Sequence, residues 1–190
     1  MKILLMVIVA LGSVAGVIVG NSLAFTAPQD VPRESKVQPK QFTLGKDSQS
    51  DKYGEVAFNH EAHTLKNYSI DGKTVIPCEE CHHTDQPKAA LKPPLVTSER
   101  DVVLTTAALV PAEAKPVKSC RSCHLQIDDD SATMPVLTYP GKTAPTKLTN
   151  EFSYHTNCNV CHDKAIAARP VLKGKIPGAQ DCIPCHKPIS

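Results

Sequence analysis

The sequence predicts a small, mostly irregular fold, with short α-helices and few strands, wrapped around groups other than its own side chains. Three observations lead there. The aromatic inventory is thin: 190 residues carry no Trp, 4 Phe and 4 Tyr, and 16 Pro interrupt regular elements. A soluble domain of this length ordinarily buries more aromatic surface. All 8 Cys fall into C-x-x-C pairs, at 78/81, 120/123, 158/161 and 182/185. Each pair is followed at once by His, in CEECH, CRSCH, CNVCH and CIPCH.

The repeated pentapeptide has a physical reading. Cysteines at i and i+3 share one face of a helical turn, so both sulfurs can form thioethers to the two vinyl groups of one porphyrin. The His at i+4 can turn its imidazole under the ring to ligate iron. Zinc knuckles do not require His after every second Cys, and a thioredoxin-type pair would come once, in a βαβ setting. The strict pairing also argues against a disulfide framework. Four covalent c-type haems are therefore expected, on Cys78 and Cys81, Cys120 and Cys123, Cys158 and Cys161, and Cys182 and Cys185. Their motif ligands are His82, His124, His162 and His186.

Four histidines remain, His60, His63, His83 and His155, as many as the irons that need a sixth ligand, so bis-histidine ligation is expected throughout. Met134 is the only Met beyond the N-terminal segment and is read as a gap-filling apolar residue. His82 and His83 are neighbours, with Cα atoms about 3.8 Å apart, so two irons bound by them lie within roughly 20 Å. His60 and His63 share a helical face and draw two more together. The fold class that follows is a multihaem cytochrome c fold around four clustered haems, with porphyrins as its hydrophobic core.

In chain order, residues 1–24 form an apolar segment with one early charge, Lys2. Ser22-Leu23-Ala24 offers a signal-peptidase site, which favours a cleaved signal peptide over an uncleaved membrane anchor through residues 3–25. Both readings export the chain, and a periplasmic location is expected. Residues 25–52 are polar, rich in Pro, Gln and Lys, and read as a linker. The functional domain is expected over 53–190, opening with a short strand in GEVAF (54–58) that leads into the two-histidine turn. Residues 86–117 lack Cys and His and read as an insertion. Within it DVVLTTAALV suits a strand, a hairpin or a short helix equally. Residues 125–150 read as loop, and the rest as short helices at the attachment sites.

The stretches VAFNHEAH, CEECHH, SYHTNCNVCH and CIPCHKP resemble the class III, tetrahaem cytochromes c, over roughly 53–85 and 118–188. The resemblance implies that His60 is the sixth ligand for the His82 haem, His63 for the His162 haem, His83 for the His124 haem and His155 for the His186 haem. Three features depart from the family pattern: the 86–117 insertion separates two motifs that small members keep close, all four motifs have a two-residue gap where some members have four residues in the second and fourth, and His155 lies only three residues before Cys158, as in longer or multidomain relatives.

Six-coordinate iron has no open site for substrate, so an electron carrier is expected and not an enzyme. The partners are redox proteins: hydrogenase- or dehydrogenase-type oxidoreductases and other cytochromes. Formal charge is +2 with Lys and Arg scattered, which argues against nucleic acid. Lys164, Arg169, Lys173, Lys175 and Lys187 outnumber Asp163 and Asp181 near the last motif and form a modest basic patch. The alternatives are a multihaem reductase with one five-coordinate haem, for which His155 is the candidate non-ligand, and a membrane-tethered or filament-forming cytochrome subunit.

Overall fold

A computed structural model describes residues 32–48, 52–84, 86–90, 100–126, 134–138 and 143–189. The expected signal segment 1–24, the central part of the insertion (91–99) and the IDDD and YPGK stretches lie outside the described residues. Regular structure is sparse. In chain order the strands are β1 (Glu34–Ser35), β2 (Gln41–Leu44), β3 (Val56–Asn59), β4 (Val117–Lys118), β5 (Val136–Leu137) and β6 (Thr146–Lys147). The helices are α1 (His60–Leu65), α2 (Asn150–Ala168) and α3 (Cys182–Cys185).

The strands form three antiparallel pairs, β1 with β4, β2 with β3 and β5 with β6. The β2–β3 hairpin is in register from Gln41↔Asn59 to Leu44↔Val56. Its Phe42↔Phe58 cross-strand pair brings the two rings to 5.2 Å, the contact type that stabilises a two-stranded sheet. The segment read as a polar linker therefore includes β1 and β2, and QFTL alternates side chains as a strand requires. GEVAF does lead into β3 and directly into α1. Of DVVLTTAALV, only Ala107–Leu109 forms a regular element, one 3₁₀ turn. Leu104 is buried there, while Val102, Val103 and Val110 are exposed.

Helix α2 is longer than the short helices the sequence suggests. Thr149 caps it, accepting a hydrogen bond from the Phe152 N–H at 3.3 Å. Pro170 stops it one residue after Arg169, since the residue before proline is driven out of helical conformation. Its sequence shows no apolar stripe, and Ala165 is its only buried residue.

The hydrophobic core is correspondingly small. Among the described residues the buried apolar side chains are Leu104, Met134 and Ala165, whereas Thr43, Gln86, Arg100, His124 and Thr149 are buried and polar. Met134 lies packed in the interior, as a gap-filling residue should.

Candidate functional site

Each C-x-x-C pair occupies one helical turn. Cys78–Glu80 and Cys120–Ser122 are 3₁₀ turns, Cys158 and Cys161 lie within α2, and Cys182–Cys185 is α3. The turn then tightens onto the motif histidine: the N–H of His82 donates to the Cys78 carbonyl at 2.8 Å, that of His124 to Cys120 at 2.8 Å and that of His186 to Cys182 at 2.9 Å. Each pair of sulfurs and its imidazole therefore issue from the same turn.

No disulfide joins any of the eight cysteines. Burial pushes the Cys81 thiol up to about 11, with Cys120 and Cys161 adding to the effect against a hydrogen bond from Asn157. Burial likewise pushes Cys158 up to about 12, helped by Cys81, Cys120 and Cys185. Cysteines from all four motifs thus come within electrostatic range of Cys158 or its neighbours. As thiols, Cys81 and Cys158 would hold their protons at neutral pH. Among the described residues no group of three or more His, Cys, Asp or Glu has the arrangement of a metal site made by side chains alone.

The histidines come together in pairs. Ring centroids lie 6.2 Å apart for His60 and His82, 6.5 Å for His63 and His162, 6.1 Å for His83 and His124, and 6.1 Å for His155 and His186. Metal–imidazole bonds are about 2 Å long, so two imidazoles on opposite faces of one metal ion have centroids roughly 6 Å apart. The four separations fit that arrangement, with one motif histidine in every pair.

Backbone carbonyls orient four of these eight rings. Nδ1 of His63 bonds the Asn59 carbonyl at 2.8 Å, that of His124 the Leu148 carbonyl at 2.6 Å, that of His162 the Pro177 carbonyl at 2.8 Å and that of His186 the Gly54 carbonyl at 2.7 Å. A carbonyl only accepts, so Nδ1 carries the proton and Nε2 keeps its lone pair for a metal. His155 has a carboxylate nearby, with Nδ1 3.7 Å from Glu151. His60 and His82 are held below the usual imidazole range, chiefly by burial. The neighbouring His82 adds to this at His60, and His83 and Arg100 add to it at His82. Neutral imidazole is the form that binds metal.

Supporting residues surround the pairs. Asn59 caps α1 through its side chain, which accepts from the Ala62 N–H at 2.8 Å, while its carbonyl holds His63. Phe58 packs against His63 at 4.6 Å and Tyr68 against the same ring at 5.6 Å. Buried Gln86 donates to the His82 carbonyl at 3.0 Å and accepts from the Leu104 N–H at 3.3 Å, tying the insertion to the first motif. No side-chain pattern signals the carbonyls of Gly54, Leu148 and Pro177; Gln86 stands beside the first motif without a sequence cue.

The basic patch is partly engaged within the chain. Arg169 donates to the carbonyls of Ile70 and Ser69, and Lys187 pairs with Glu55 at 2.9 Å.

A family model described as outer membrane cytochrome MtrC/MtrF-like, domains II/IV, matches residues 37–173. The chain belongs to this family. It is thus a multihaem c-type cytochrome, an electron-transfer protein, in a family named for outer-membrane cytochromes instead of the class III tetrahaem proteins that its ligand order resembles. The match begins inside the segment read as a linker and spans the first three motifs of this MtrC/MtrF-like cytochrome; the Cys182–His186 motif follows it. No curated protein and no solved structure gives a match. No helix among the described residues is long and apolar enough to cross a membrane.

Proposed function

We propose that this MtrC/MtrF-like cytochrome carries four covalent haems, each with two histidine ligands, and passes electrons between redox partners without transforming a substrate. The carrying observation is the set of four imidazole pairs, His60–His82, His63–His162, His83–His124 and His155–His186, at 6.1–6.5 Å. The cysteine pairs would anchor the haems as thioethers, and the ligand order resembles that of the class III tetrahaem proteins. Haem supplies one-electron chemistry at iron. The chain's part would be to keep the Nε2 lone pairs of His63, His124, His162 and His186 available through their Nδ1–carbonyl bonds, and to commit both imidazoles of each pair to iron so that no site is left for substrate. Cys158 lies near Cys81, Cys120 and Cys185, one cysteine from each other motif, so four macrocycles on these turns would form one cluster. They would supply the apolar surface that the small side-chain core lacks. The partner is a redox protein, and Lys164, Lys173 and Lys175 offer charge to an acidic one.

A pyridine haemochrome assay should give four haems per chain, and the oxidised protein an EPR spectrum that is low-spin throughout. Fewer than four haems, or a high-spin signal matching one iron, overturns this assignment; the high-spin outcome favours the reductase reading.

For location, an exported, periplasmic carrier with a cleaved signal is the first reading. The family match favours a second, a subunit of an outer-membrane electron conduit. Cell fractionation followed by the N-terminal mass of the mature protein separates the two.

A further inference from the structure

The fourth motif is tied back to the start of the domain across more than a hundred residues. Gly54 donates its N–H to the Lys187 carbonyl at 2.9 Å, and the Lys187 N–H donates to the Glu55 carbonyl at 2.9 Å. Between these bonds the His186 Nδ1 donates to the Gly54 carbonyl at 2.7 Å. Val56 and His186 form an isolated antiparallel bridge, and the Tyr53 ring lies 5.8 Å from the His186 ring. Lys187 Nζ reaches Glu55 Oε2 at 2.9 Å on the outside. A Cβ at residue 54 would meet the Lys187 carbonyl oxygen at 2.6 Å, a distance that real Cβ contacts essentially never show. The site therefore needs a glycine for close approach and not for an unusual backbone angle.

We infer that Gly54 is a positioning residue for the fourth haem site: its carbonyl sets the orientation and proton position of His186, and only glycine lets the 53–56 segment come close enough. The inference rests on the four-haem reading above. Residues 53–56 run straight into β3 and α1, which carry His60 and His63. The bracket thus joins the fourth motif to the segment that supplies ligand candidates for the first and third sites. It also explains how a motif beyond the family match is incorporated into the matched domain.

The test compares Gly54→Ala with the parent protein by EPR and potentiometric titration of the loaded, full-length chain. One of the four low-spin components should shift or turn high-spin, and one potential should move, while the other three stay in place. Gly174→Ala serves as a structural control. Gly174 sits at φ +74 with nothing within 4 Å of an added Cβ, so this change strains the backbone and lowers the melting temperature without touching a histidine. It should leave all four components unmoved. Unchanged spectra and potentials in Gly54→Ala, or equal disturbance of all four haems, overturn the inference. If Gly54→Ala does not load haem, the parent decides: the His186 Nδ1–H, seen among the hyperfine-shifted proton resonances, should exchange with D₂O more slowly than that of the half-exposed His155. Equal exchange overturns the bracket. A parent haem count below four would instead break the reading beneath it, so the two failures are distinguishable.

Discussion

His83 shows what a single residue imposes here. It follows His82 directly, yet their rings belong to different pairs, His82 with His60 and His83 with His124. Replacing His83 with Ala should therefore convert about a quarter of the haem to high-spin, namely the haem on Cys120 and Cys123, and leave the first haem attached and low-spin. Magnetic circular dichroism with a haem count checks this; a changed first haem would sink the assignment. The residue scale is also where the sequence speaks most clearly. C-x-x-C-H carries its own geometry, because two sulfurs and an imidazole must leave one helical turn, and those turns are present at all four positions. The acceptors on Nδ1 are not legible, since a carbonyl of Gly54, Leu148 or Pro177 looks like any other until the chain is folded.

At the scale of elements, α2 organises the site. It carries the third motif in Cys158, Cys161 and His162, and His155, which meets His186. Tyr154 hydrogen-bonds Cys120 of the second motif, and Asn157 hydrogen-bonds Cys81 of the first. One helix thus contacts the first two attachment turns, carries the third and pairs His155 with the histidine of the fourth. Its length was hidden from sequence reading because helices are found by apolar periodicity, and this one presents Cys, His, Tyr and Asn to its neighbours instead. Strand β2 was hidden for a related reason: four residues in a polar stretch give little signal until Phe42 meets Phe58. The helix start is a point of leverage. Thr149→Ala removes the side-chain cap and should cost about 1 kcal/mol of stability, measurable by denaturant unfolding of the loaded protein, with the haem count unchanged.

For the whole molecule, the small side-chain core among the described residues and the thin aromatic content of the sequence fit a chain organised by what it binds, with the three short β-pairs described above and α2 lying between its turns. The pairing has a further property that concerns time. In every pair the non-motif histidine comes first in the chain, His60 before His82, His63 before His162, His83 before His124 and His155 before His186. None of the first three motifs draws its partner from residues beyond its own histidine. A cytochrome built in this order can finish each centre as its motif arrives, with nothing provisional bound while later residues are awaited. Removing the last centre with Cys182→Ala and Cys185→Ala should accordingly leave three haems, all low-spin, and a high-spin signal in that variant would show that an earlier centre had borrowed a ligand from the end of the chain. Such an order suits a polypeptide delivered N-terminus first to its attachment machinery, where an iron left with a vacant face would be open to whatever ligand came by.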